Sequence, residues 1–443
     1  MLEGSMLDKI VLFALPLAAS SVLQQLFNAA DLAVVGRFAS AKAMAAVGSN
    51  AAVINLIISL FVGLSVGANA VIAMQIGSGH KEKINETVHT VIAVSLIAGI
   101  ILIITGVGLS APILRLMGAP EDVMSLAVLY LRIYFLAMPA IMVYNYGSAI
   151  LRSKGDSKRP LYALILSGVI NIILNLIFVV IFHLHVIGVA AATVISNLFG
   201  AGLIIYYLMT EEETFRLSLK RLSVNRAYLR GMIRVGLPAG VQGMVFSLSN
   251  VVIQTSINSF GASAIAGSTA AQNLEFISYC VVNAFGQTTV TFTSQNYGAG
   301  NVERCKRVFR LSMIMGLVGD LITVCLFVVF REQLLHLFTT DEKVLGFAFT
   351  RVYIACGTHF LISTYEISGG ALRGMNHSLA PALTSIFGTC AFRLLWVFTA
   401  VKKYHTFETL IMVYPVSWVI TGALMLTEYF IIRKIEFKAI EKR

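Results

Sequence analysis

The sequence predicts an all-α polytopic membrane protein, with twelve transmembrane helices in two six-helix lobes that form a parallel pseudo-twofold repeat. Three observations predict it. Of 443 residues, 57% are hydrophobic and only 12% charged, against about a quarter charged in soluble domains, so the surface of this chain belongs in lipid. Apolar stretches of the roughly 20 residues that a spanning helix needs recur along its whole length. Finally, four sequence landmarks return at a nearly constant offset. Period-2 apolar strands are absent, so the backbone must satisfy its hydrogen bonds inside helices.

In order, the spans read at 8–35, 43–75, 88–109, 122–147, 159–183, 186–208, 227–259, 263–291, 305–330, 344–370, 379–400 and 408–432. Helix 1 is too long for a cleavable signal and carries Asp31, so it is expected to insert as a span. Pro16 in helix 1 and Pro238 in helix 7 each remove a backbone hydrogen bond and bend their helix, as a fixed kink or a moving hinge. They also mark the repeat. Ala14-Leu15-Pro16 returns as Gly236-Leu237-Pro238 at an offset of 222. Gly77-Ser78-Gly79 returns as Gly298-Ala299-Gly300, Leu151-Arg152 as Leu372-Arg373, and Pro160 as Pro381, each at an offset of 221. The offset corresponds to six helices, an even number, so both halves insert in the same sense about an axis along the membrane normal. The expected lobes are 1–210 and 227–443, joined by a charged linker at 211–226.

The net charge of +11 is read as basic residues retained in the cytoplasm, not as a nucleic-acid surface. The Lys and Arg residues cluster around Arg152 to Arg159, Arg216 to Arg234, Arg304 to Arg310 and the tail from Arg433, all on one side of a twelve-span model. Both termini are therefore expected in the cytoplasm of a plasma-membrane protein. The cysteines Cys280, Cys305, Cys325, Cys356 and Cys390 are scattered, and His183 with His185 lacks a third ligand, so neither a metal site nor a cofactor is expected. The expected partners are the lipid bilayer and a small-molecule cargo, with the chain acting as a monomer.

Ionisable and amide side chains inside spans are costly and usually face a bundle interior or a water-filled path. Gln24, Asn28 and Asp31 share one face of helix 1, and Ser167, Asn171 and Asn175 share one face of helix 5. At similar depth, these stripes are expected to face one cavity. A carboxylate there can take up and release a proton near neutral pH, or help to hold Na⁺. Asp31 is the leading candidate, with snorkelling or pairing to Arg37 as its structural alternative. Helix 7 offers Asn250, Gln254 and Asn258, and helix 8 offers Gln272, Glu275, Tyr279, Asn283 and Gln287. Interhelical hydrogen bonding is the structural alternative for each of these. Tyr130, Tyr134 and Tyr144 on helix 4 are candidate aromatic contacts for a flat cation. Glu366 reads as structural, close to Arg373. Asp320, Arg132, Arg351 and Arg393 are candidates to pair with one another, and His359 shows no sequence partner.

The runs Leu15-Pro16, Gln24-Gln25-Leu26-Phe27-Asn28 and Asp31 to Gly36-Arg37-Phe38 resemble the N-terminal signature of the MATE (multidrug and toxic compound extrusion) transporters. Ala45-Ala46-Val47-Gly48, Gly63 to Gly67 and Gly77-Ser78-Gly79 continue the likeness. Leu151-Arg152-Ser153-Lys154-Gly155-Asp156 with Pro160, and Ala371-Leu372-Arg373-Gly374 with Pro381, resemble the family's loops after helices 4 and 10. The resemblance implies two lobes around a central cavity and antiport of drugs, organic cations among them, against H⁺ or Na⁺. It implies that Asp31 is the coupling carboxylate and Pro16 the proline of the bending helix 1. Asn171 matches the first residue of the family's Asn-x-x-x-Asp motif, but the last position here is Asn175. One acidic group is missing, which leaves H⁺ and Na⁺ both open. Helix 7 also lacks the acidic residue of some branches, so Glu275 is the second lobe's coupling candidate. The cargo is expected to contact Gln24, Asn28, Tyr130, Gln254, Gln272, Tyr279 and Asn283. A lipid-linked oligosaccharide flippase of the same two-lobe plan is the alternative. A major-facilitator carrier would carry a different loop after helix 2, and a membrane enzyme would need a His or Ser constellation.

Overall fold

The computed structural model describes residues 1–38, 41–116 and 121–442. Among them there is no strand, and every stretch read as a span is helical. The helices are α1 Met6–Phe38, α2 Ala41–Gly77, α3 Lys81–Leu116, α4 Glu121–Phe135 with Met138–Lys154, α5 Lys158–Ile181, α6 His185–Met209, α7 Arg226–Asn258, α8 Ala262–Gly298, α9 Val302–Val329, α10 Glu342–Gly374, α11 Leu379–Val401 and α12 Phe407–Glu441. Ten of the described helices are long and apolar enough to cross a membrane, and eleven if the two pieces of α4 form one span. The 37-residue α8 is not among them, because Gln272, Glu275, Asn283 and Gln287 dilute its apolar run.

Lipid tails are as apolar as leucine, so packing inside a membrane relies on close van der Waals approach, which small residues permit. The α4 break shows this. Pro139 sits at the start of the second piece, where its missing N–H costs least, and the pieces meet at 46°. Gly99 of α3 lies against that break: a Cβ there would be 2.4 Å from Pro139 Cα. Two turns on, a Cβ on Gly106 would fall inside the Phe135 ring.

By contact the chain falls into two compact units, 1–18 with 237–443, and 19–236. The division points lie within two residues of Pro16 and Pro238. In the first unit Met6, Ile10 and Phe13 of α1 join a core with Phe292, Val308, Leu372 and Tyr429, and the Phe13 ring meets Phe292 edge-on at 5.7 Å. In the second unit Met232 of α7 joins a core with Ile92, Met142 and Tyr146. There Gly67 and Gly236 let α2 and α7 touch backbone to backbone: Cβ atoms would lie 2.3 Å from Met232 O and 2.6 Å from Leu64 Cα.

The segment after α6 is tied to the second unit. Glu211 accepts from Lys154 at 2.8 Å and from Arg159. Asn85 donates to the carbonyl of Glu213 at 3.0 Å, and Ser218 N–H donates to His89 Nε2 at 3.0 Å. A π-helical stretch, Leu176–Ile181, closes α5, and Val397–Val401 closes α11 at the repeat offset of 221. Such bulges are rare and concentrate at functional sites.

Candidate functional site

In the unit 19–236 the predicted stripes of helices 1 and 5 do meet. Asn175 Nδ2 donates to Asp31 Oδ1 at 2.5 Å and to Asn171 Oδ1 at 3.2 Å. Asn171 Nδ2 donates to Ser196 Oγ at 3.3 Å, and Ser196 Oγ to Thr193 O at 3.1 Å. Asp31 thus lies at one end of a hydrogen-bond chain linking α1, α5 and α6, in which Asn175 donates both to Asp31 and toward α6. Asn175 Oδ1 is buried without a protein partner.

Packing one turn below makes the approach possible. A Cβ on Gly168 would lie 2.0 Å from Phe27 Cε2, so only glycine lets α1 come this close. Phe27 precedes Asp31 by one turn, as Gly168 precedes Asn171. The π-helical stretch begins at the residue after Asn175. Of the other helix 1 candidates, Gln24 and Asn28 are exposed, and no hydrogen bond joins them to Asp31 among the described residues. Tyr130 and Tyr134 lie within electrostatic range of Asp31. Tyr130 itself is buried among Val35, Val47 and Val179.

The unit 1–18 with 237–443 carries a different constellation. On α8, Gln272 and Tyr279 are exposed, Asn283 Nδ2 donates to Tyr279 Oη at 3.3 Å, and together they line one face. On α7, Gln254 donates to Asn258 at 3.0 Å. Glu275, between Gln272 and Tyr279 on α8, is buried and held by Arg351, Nε to Oε1 at 2.7 Å and Nη2 to Oε2 at 2.9 Å. The charged residues expected to pair with one another do not. Asp320 accepts from His359 Nδ1 at 2.9 Å, Arg393 donates to the neutral acceptors Ser417 and Asn250, and Arg132 Nε donates to Val107 O at 3.2 Å. Glu366 and Arg373 form no ion pair, and Arg373 instead donates to Gln242 Oε1 at 2.8 Å. Sequence reading missed Gln242, Ser268 and Ser196, because single amides and hydroxyls carry no periodic signal.

Asp31 has no equivalent in the second half. Offsets of 222 and 221 place Ile253, Phe392 and Trp396 where the first half has Asp31, Asn171 and Asn175.

Comparison with known proteins agrees with this layout. The MatE family model matches the chain twice, at residues 16–177 and 238–399, which reproduces the six-helix repeat. The probable multidrug resistance protein YoeA of Bacillus subtilis is 30% identical over 383 residues, 85% of this chain and 83% of its own length. A protein named FAD transporter from Shewanella oneidensis is 28% identical over 323 residues, 72% of this chain and 71% of its own. A solved structure described as the outward-facing conformation of a multidrug resistance MATE family transporter of the MOP superfamily superposes with a TM-score of 0.89. It is 25% identical and covers 100% of this chain and 98% of its own. The flippase alternative finds no support among these relatives. With the family model matched in both halves, this multi-pass membrane protein belongs to the MatE family of multidrug efflux (MATE) transporters.

Proposed function

We propose that the protein exports organic cations by antiport, and that Asp31, with Asn171 and Asn175, takes up the coupling ion, H⁺ or Na⁺. The observation that carries this reading is the hydrogen-bond chain ending on Asp31. A cation that neutralises Asp31 turns the charge-assisted hydrogen bond from Asn175 into a weaker neutral one and loosens the hold on its amide. Occupancy at α1 is then felt along α5 and α6, next to a π-helical stretch that can change register. The unpartnered Asn175 Oδ1 is a further oxygen for a hard ion. Glu275 already has its charge matched by Arg351, so the coupling reaction centres on Asp31. Gln24, Asn28, Gln254, Gln272, Tyr279 and Asn283 are the cargo contacts on this reading, and the buried Tyr130 positions Asp31. Both termini lie in the cytoplasm and one copy suffices.

The test is efflux of tetraphenylphosphonium from proteoliposomes with imposed H⁺ or Na⁺ gradients. Asp31→Asn protein is expected to lose gradient-driven efflux, and undiminished efflux overturns the reading. Replacing Na⁺ by choline at fixed pH separates the two ions. The relative named as an FAD transporter supports extending the cargo beyond cations.

A further inference from the structure

Charged side chains inside spans are normally paired or face a functional path. Three arginines are buried within the spans of the unit 1–18 with 237–443: Arg351, Arg373 and Arg393. Arg351 shows a compensated guanidinium, with its bidentate Glu275 contact and Nη1 2.6 Å from Ser268 Oγ. Among the described residues the other two have no counter-ion. Arg393, only 1% exposed, gives Nε to Ser417 Oγ at 3.3 Å and Nη1 to Asn250 Oδ1 at 3.2 Å. The rings of Phe246 and Tyr414 cover it at 5.1 and 4.7 Å. Arg373, 8% exposed, donates to Gln242, which donates on to Ser385 Oγ at 3.0 Å. Its Nε is buried with no partner.

Neutral acceptors and ring faces satisfy hydrogen bonds without cancelling charge. Of the carboxylates within the spans, Glu275 is paired with Arg351 and Asp320 with His359, and among the described residues neither Glu366 nor Glu428 forms an ion pair with Arg373 or Arg393. A removed or missing partner for a buried charge costs several kcal/mol, so a mobile anion is the group this arrangement lacks. It can approach through Asn250, which is exposed on α7.

We propose that the seam between α7, α10 and α11 binds the anionic group, a carboxylate or phosphate, of a transported compound, with Arg393 as the anchor and Arg373 with Gln242 as a second step. Asn250 and Gln242 are eight residues apart, about 12 Å along α7, too far for one carboxylate to touch both arginines. Phe246 and Tyr414 offer an apolar, aromatic surface beside the first step. The cargo class is therefore an aromatic or amphipathic acid or zwitterion. The proposal rests on the chain being an exporter, but not on the coupling chemistry at Asp31.

The test uses the full-length protein in phosphatidylcholine nanodiscs. Its two tryptophans report on the seam: Trp396 follows Arg393 by three residues, and Trp418 adjoins Ser417. Phenyl phosphate and benzoate are titrated against benzamide and benzyltrimethylammonium. A saturable response to the anions alone is expected, weakened at least tenfold in Arg393→Gln, the order expected for a lost charge-assisted hydrogen bond. Arg393→Lys should recover part of it. Asn250→Asp keeps folding in view, since it supplies a carboxylate beside Arg393: thermal stability should rise while anion binding is lost. Asp31→Asn protein should bind the anions as wild type does, which separates this site from the coupling reading. No saturable anion response in the wild type, or one untouched by Asn250→Asp and Arg393→Gln, overturns the proposal. So does a response that appears only when phosphatidylglycerol is added, which would give the arginines to lipid headgroups.

Discussion

Gly168→Ala is the sharpest probe of how the proposed coupling site is built. The added Cβ would sit 2.0 Å from Phe27 Cε2 and 2.2 Å from Cζ, closer than any real contact. The ring must swing or α1 must retreat from α5, and overpacking of this kind costs about 1–3 kcal/mol. Retreat by even 1 Å would stretch the Asn175 to Asp31 bond of 2.5 Å beyond useful hydrogen-bond length. A hydrogen bond to a charged group contributes about 1.5–3 kcal/mol, so the coupling-ion affinity should shift by about tenfold or more. The assay is the ion-concentration dependence of tetraphenylphosphonium efflux in proteoliposomes, with thermal unfolding to confirm that the protein folds. Phe27→Leu should restore the wild-type midpoint in the Gly168→Ala background, because it removes the ring atoms that collide. A wild-type midpoint in the single variant, or no rescue in the double one, would refute the reasoning.

Three further outcomes follow from the packing and charges described. Glu275→Gln leaves Arg351 buried without a counter-ion and should lower stability by about 3–5 kcal/mol; adding Arg351→Met should return most of it, as read by thermal unfolding in nanodiscs. Gly99→Ala drives a Cβ onto the backbone of Pro139, which cannot swing aside as a flexible side chain would, so the folded fraction on size-exclusion chromatography should fall sharply, whereas Gly108→Ala on the same helix meets nothing within 4 Å and should not. Burial alone would push the Glu211 carboxyl up, but hydrogen bonds from Lys154 and Arg159, and their charges, outweigh it and hold it below its ordinary range. Its stabilisation is therefore complete above the unfolded glutamate value, about 4.3, and is lost as the pH falls through the lowered folded value. Glu211→Gln should flatten the thermal stability profile across that acid window, and an unchanged profile would count against the pairing.

Much of the proposed coupling site was legible in the sequence because its members obey helical periodicity. Asp31 with Asn28 and Gln24, and Asn171 with Asn175, announce themselves as polar faces in apolar helices. The contact between those faces was not legible, nor was the role of Gly168, which depends on which ring of another helix lies over it. The same limit explains the second unit. Asp320, Glu275, Arg351, Arg393 and His359 were each visible as anomalies. Their partners lie 24 to 143 positions away, and nothing periodic links such distances.

The sequence by itself determined the membrane class, the helices and the parallel six-helix repeat, since these follow from composition, span length and recurring prolines and glycines. It also determined that the two halves differ chemically. Only the tertiary structure decided which charges are compensated, that the first turns of α1 and α7 group with the unit of the other half, and that Asp31 ends a hydrogen-bond chain. Those outcomes depend on ångström-scale approach between helices, which side-chain shape decides after the helices have formed.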